Sequence, residues 1–238
     1  MFNYIKADFY RILSKKGLYR NLLILFTLVV IGFLLGKEEV SIQYLPNILT
    51  LVFTFCQLVV SVYLLITVYS DEFNSKTFPA AVGFGKSRSG IVLAKLLTNL
   101  VFTTVTLAAL GVMIYGIITM FGIILTTDHI KMMTTMLAYQ TLTGIGFSSV
   151  AIVIGFWLQK ASAALSVFIM LSLGFFGSAI QFILYKLNLK QWNDYLLENI
   201  VLKLVQDTTF ETVIPYVIFL ALFTIISVSI FRQKDLDF

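Results

Sequence analysis

Long stretches of this chain carry no charge at all. Residues 40–70, 96–127, 132–159, 161–185 and 212–231 contain no Asp, Glu, Lys or Arg, and neither does the shorter run Asn21–Gly36. A helix rises about 1.5 Å per residue and the apolar core of a bilayer is about 30 Å thick, so about 20 apolar residues suffice to cross it. Five runs meet that length, and the sixth does so if Gly17–Arg20 supply an interfacial first turn. The pattern predicts an all-α integral membrane protein with six transmembrane helices. After the first span, the others are expected at about Leu45–Tyr69, Ile91–Leu125, Met136–Leu158, Ala161–Tyr185 and Thr212–Phe231. The run of 32 uncharged residues at 96–127 is too long for one perpendicular crossing and must tilt, bend or project beyond the lipid.

The segments between the runs carry patterns of their own. In residues 1–20, Phe2, Ile5, Phe9, Ile12 and Leu13 recur at three-to-four spacing, with Asn3, Lys6, Arg11, Ser14 and Lys15 filling the polar remainder. That pattern predicts an interfacial helix, with its rings below the surface and Lys6 and Arg11 on lipid phosphates. Gly17 then marks the joint to the first span. Residues 186–211 show a second helical stripe, Trp192, Leu196, Ile200 and Leu204, interrupted by Asp194, Glu198 and Lys203. Thr126–Lys131 reads as a brief turn and Gln159-Lys160 as a minimal one. No internal repeat or low-complexity tract is visible, so the inverted-repeat plan of many secondary transporters finds no support. The chain reads as one domain, 1–238.

Composition narrows the class further. Only 12% of residues are charged and 59% are hydrophobic, whereas soluble domains carry about 25% charged residues. Six spans and their loops exhaust the 238 residues, leaving nothing for a soluble catalytic domain. With six spans both ends lie on one side. That side holds twelve of the 17 basic residues against five on the other, which places both termini in the cytoplasm. The net charge of +5 therefore follows membrane sidedness and is no sign of nucleic-acid binding. Cys56, alone in the second span, reads as a buried thiol. The first run has a twenty-residue patterned leader and a poor cleavage site at Gly36-Lys37, so it reads as a retained span rather than a signal peptide.

Catalytic signatures are missing. The sequence has no HExxH, CxxC or GxSxG, and its single histidine, His129, falls in the 126–131 turn beside Asp128. Ala80–Ser87, AAVGFGKS, imitates a phosphate-binding loop but lacks its first glycine and the strand–loop–helix setting that such a loop needs. The uncharged runs offer no ionisable group at membrane depth, which counts against ion-coupled transport powered by this chain alone. Their polar residues, Gln57, Thr67, Thr98, Asn99, Gln140, Ser148, Ser149 and Gln181, are expected to hydrogen-bond between helices. Gly144-x-Gly146 and Gly174-x-x-Gly177 are expected to allow close helix packing.

Residues 70–90 hold much of the remaining polar chemistry, reading SDEFNSKTFPAAVGFGKSRSG. An acidic residue five positions before Thr, then Gly, an Arg after a small residue, and a Lys near the next span match Glu72, Thr77, Gly83, Ser87-Arg88 and Lys95. This arrangement resembles the cytoplasmic loop of type-2 permeases of ATP-binding-cassette exporters. The amphipathic N-terminus, six spans, helical segment before the last span and Lys234-Asp235 ending are similar to that family as well. Lys76, where the family often has Gly, and Pro79, inside the expected helix, depart from it.

The resemblance implies a transport subunit without an ATPase site or any cofactor of its own, ATP and Mg being bound by a separate ATPase subunit. Residues 70–90 would be the coupling loop, with Phe73 and Phe78 as apolar anchors and Glu72, Lys76, Thr77 and Arg88 around them. Residues 1–20 would be the elbow helix, with Phe2, Ile5, Lys6, Phe9 and Arg11 at the membrane interface. A second permease copy, identical or related, would complete a path lined by Phe53, Gln57 and Val60 of the second span and Met170, Gly174 and Phe175 of the fifth. The implied setting is a bacterial plasma membrane, and the implied cargo a peptide such as a bacteriocin, a lipid or a hydrophobic drug. A membrane immunity or scaffold protein without transport and an ion-coupled carrier are the alternative readings.

Overall fold

The computed structural model describes residues 2–35, 45–70, 82–83, 85, 87–120, 122 and 125–233. Among these the regular elements are all helical. They are α1 (Phe2–Ser14), α2 (Lys16–Leu35), α3 (Leu45–Leu65, closed by a π-helical turn, Ile66–Ser70), α4 (Arg88–Met120) and α5 (Thr127–Leu158). There follow α6 (Ala161–Ser172), α7 (Phe175–Lys186), a 3-10 segment (Lys190–Tyr195), α8 (Leu197–Gln206) and α9 (Phe210–Gln233).

Among the described residues four helices are long and apolar enough to cross a membrane: Pro46–Tyr69, Arg88–Met120, Thr127–Leu158 and Phe210–Gln233; the bent pair α6–α7 makes a fifth if it is one span. The long uncharged run at 96–127 continues a helix that already begins at Arg88, so α4 has 33 residues and extends about 50 Å, well beyond one bilayer core.

Helix α5 is the hub, packed against α3, α4, α6, α8 and α9. Two-thirds of its most apolar stretch (67%) is buried, against 11% for α9, so α5 is a core helix and α9 a peripheral one. Small residues set how closely its neighbours approach, which matters because helices in lipid gain little from hydrophobicity alone. A Cβ at Gly144 would lie 2.8 Å from the Gln57 side-chain amide of α3, and one at Gly146 would lie 2.5 Å from Leu197 of α8. The Gly144-x-Gly146 pair thus serves two interfaces at once, as the spacing predicts.

Other sequence expectations are revised. The 126–131 turn is the start of α5: Thr126 is its N-cap, and His129 completes a reciprocal capping box, the Thr126 backbone N–H donating to His129 Nδ1 at 3.2 Å. The fifth span is not one straight helix, because Leu173 and Gly174 break it and the halves bend by 60°. Gly174 has φ 75°, a left-handed conformation cheap only for glycine, so it is a hinge residue rather than a packing one. Gly177 is the close-packing residue of that pair, with the Glu198 carboxylate against it. The stripe in 186–211 divides at Leu196, whose ψ of 140° ends one helix and caps the next. The buried face of α8 is Leu197, Ile200, Val201 and Leu204, while Trp192 stays exposed in the 3-10 segment beside Tyr195.

Candidate functional site

The segment that the sequence singles out, 71–81, and with it Glu72, Phe73, Lys76, Thr77 and Phe78, lies outside the described residues. Its two stalks are described. One is the π-helical turn ending α3, and the other is the start of α4 at Arg88.

A row of aromatic rings connects the stalks. Tyr69, at the end of α3, meets the Phe156 ring edge-on at 6.1 Å between centroids; Phe156 in turn packs on Phe231 of α9 at 4.8 Å. The Arg88 guanidinium lies 6.0 Å from the Phe231 ring centre and donates to the carbonyls of Phe231 and Arg232, at 3.0 and 2.9 Å. The last carbonyls of a helix have no partner within it and carry the negative end of its dipole, so a guanidinium there is well placed. Arg88 therefore fastens the second stalk to the end of α9, and its side chain is engaged within the chain itself.

Helix α1 is fastened at the same end of the bundle. The Lys95 ammonium, one and a half to two turns into α4, is fully buried and donates to Asp8 at 2.5 Å. Arg11 pairs with the other Asp8 oxygen at 3.2 Å and donates to the Thr67 carbonyl, in the π-helical turn, at 3.3 Å. Phe9 packs on Phe102 of α4 at 4.6 Å, and Ile12 is wholly enclosed. An isolated buried charge is very costly, whereas one that is paired and hydrogen-bonded is tolerated. Hence Asp8, Arg11 and Lys95 occur together.

This placement adds partners within the chain to the sequence reading of residues 1–20. Arg11 has fixed partners in the bundle, Asp8 and the Thr67 carbonyl. Ile5 is half-buried and Lys6 exposed, Phe2 begins the helix, and Tyr10 and Leu13 point outward. Asp8 was the residue to notice: it is the single acid before Glu38, in a leader otherwise basic.

The six path residues do not share a surface. Phe53, Gln57 and Val60 are buried in the core against the rest of the bundle. Met170 and Phe175 are exposed, and Gly174 sits at the bend between them. The open side of α3 is that of Phe55, Val62 and Ile66, which with Ile24 and Leu28 of α2 and Ile169 of α6 line an apolar groove of about 340 Å³. Of the polar span residues, Gln140 bonds between helices, donating to Thr54 Oγ1 at 2.8 Å. Thr67 and Ser149 donate to carbonyls of their own helices. Gln181 faces outward. Gln57 Nε2, Thr98 Oγ1, Asn99 Oδ1 and Ser148 Oγ are buried without a protein partner among the described residues.

The described residues contain no group of His, Cys, Asp and Glu placed to hold a metal ion. The sequence matches no protein-family model, and no curated protein shows significant similarity to it.

Proposed function

We propose that this chain is the membrane-spanning permease subunit of an exporter driven by a separate ATP-binding-cassette ATPase. Under this reading α2 and the bent α6–α7 pair join the four long helices to make six spans. Both termini and residues 70–90 lie in the cytoplasm of a bacterial cell, and the chain sits in its plasma membrane. A second permease copy would assemble beside it, with ATP and Mg held by the partner ATPase. The cargo would be amphipathic or hydrophobic, a peptide such as a bacteriocin being the first expectation.

One observation carries the reading: the stalks of the 71–81 segment, the end of α3 and the start of α4, are tied to three further helices at once. Tyr69 and Arg88 meet through Phe156 of α5 and Phe231 of α9, while Thr67 and Lys95 are tied to α1 through Arg11 and Asp8. A closed packing of this kind is stiff. A push on the loop would move α1, α4, α5 and α9 together, which is what a transmitter of nucleotide-driven motion requires. A solvated hairpin with no mechanical duty needs no such fastening.

The test is co-purification and flux. A tagged chain should retain an ATPase encoded beside it, and Phe78→Asp should lower cargo flux while membrane insertion is unchanged. A chain that never retains an ATPase with Phe78 intact would favour the immunity or scaffold reading. Transport that persists without any ATPase would favour the ion-coupled one.

A further inference from the structure

A partly open cavity of about 220 Å³ is walled by α5, α6, α7, α9 and the chain around Leu196. Five aromatic side chains line it, Phe147, Phe176, Tyr195, Phe219 and Phe223, and the rest of the wall is mostly aliphatic. Glu198 carries the single charge in this lining. Its carboxylate reaches the wall because Gly177 has no side chain; a Cβ there would stand 3.0 Å from Oε1 and 3.2 Å from Oε2. The nearest cation on the same segment, Lys203, is committed to Asp194 at 2.9 Å. Glu198 makes no hydrogen bond or ion pair with any described residue. Burial holds its carboxyl above the ordinary range, as expected where an acid loses water without gaining a partner.

An apolar chamber with one uncompensated carboxylate is complementary to a ligand that is greasy and positively charged. Aromatic faces add attraction for the same cation. We propose that this cavity is a subsite for a cationic amphiphile, whose ammonium pairs with Glu198 while its apolar part lies among Phe147, Phe176, Phe219 and Phe223. At this volume it would take a side chain or a short alkyl-aryl segment rather than a whole peptide. The inference deepens the permease reading and rests on it for the ligand's role as cargo: of the amphipathic cargoes open to that reading, it selects the cationic ones.

The experiment uses the full chain in nanodiscs of phosphatidylcholine, with empty discs as the blank, and two probes of matched shape: 4-phenylbutylamine and 4-phenylbutanol. Isothermal titration should give the amine an affinity roughly tenfold or more above the alcohol, the difference a charge-assisted hydrogen bond supplies. Glu198→Gln keeps the shape and removes the charge, so the two affinities should become equal, with that of the alcohol unchanged. Ile180→Trp, which fills the cavity from its α7 wall, should weaken both probes. Equal affinities in the unaltered chain, an amine preference surviving Glu198→Gln, or binding of both probes unaffected by Ile180→Trp would each overturn the proposal. No ATPase enters the assay, so amine binding without ATPase retention would remove the permease reading and leave the subsite standing.

Discussion

Asp8 and Lys95 stand 87 residues apart in the chain and meet as a buried 2.5 Å ion pair, with Arg11 on the other oxygen of the carboxylate. The pair fastens α1 to α4. Removing one member leaves the other charged and enclosed. Arg11 still pairs with the Asp8 carboxylate in Lys95→Met, so that variant should destabilise the protein by about 3 kcal/mol, and Asp8→Leu combined with it should recover part of the loss, Arg11 then losing its acid. Thermal unfolding of the four members of the double-mutant cycle in one detergent measures this. An additive cycle would show that the two side chains are not coupled.

Arg88 makes two charge-assisted hydrogen bonds to the closing carbonyls of α9. Arg88→Ala should cost about 1.5–3 kcal/mol and loosen the end of α9. Amide exchange should rise at 228–233 before it rises in α5. Arg88→Lys, with one point charge in place of a planar fork, should restore part of the protection.

Close approach of α5 and α8 depends on Gly146, where a Cβ would lie 2.5 Å from Leu197 Cδ2 and 2.9 Å from Cδ1. Gly146→Val should force α8 off its seat at a cost of about 1–3 kcal/mol. Exchange protection of 197–206 should fall while that of α3 and α4 is kept. Unchanged protection in α8 would show that Leu197 can swing away freely.

Glu198 gives the protein a pH dependence of definite sign. Burial raises its carboxyl above the ordinary 4.5, so the folded state holds the proton more tightly than the unfolded one. The stability it contributes is complete below about pH 4.5 and is lost as pH rises through the raised folded value. Glu198→Gln should remove that component. Unfolding midpoints compared between about pH 4 and pH 8 should then fall less steeply for the variant than for the parent.

The positions of the long helices were written in the sequence because charge is so costly in hydrocarbon that its absence marks a span. The run at 40–70 accordingly appears as the helix Pro46–Tyr69, and that at 212–231 as Phe210–Gln233. Gly144 and Gly146 were legible too, since paired small residues have few other uses inside a membrane helix.

Which side of each helix looks inward was decided only by tertiary structure. Phe53 and Val60 look no different in sequence from Phe55, Val62 and Ile66, because nearly every face of such a helix is apolar and periodicity has little to read; Gln57 alone marks the inward side. The partner of Lys95 was equally hidden: an ion pair between positions 8 and 95 is a fact of packing, and the chain announces only that both charges exist. The bend at Gly174 and the bare carboxylate of Glu198 belong to the same class. Each depends on what a neighbouring helix leaves open, and one-dimensional patterns carry no record of that.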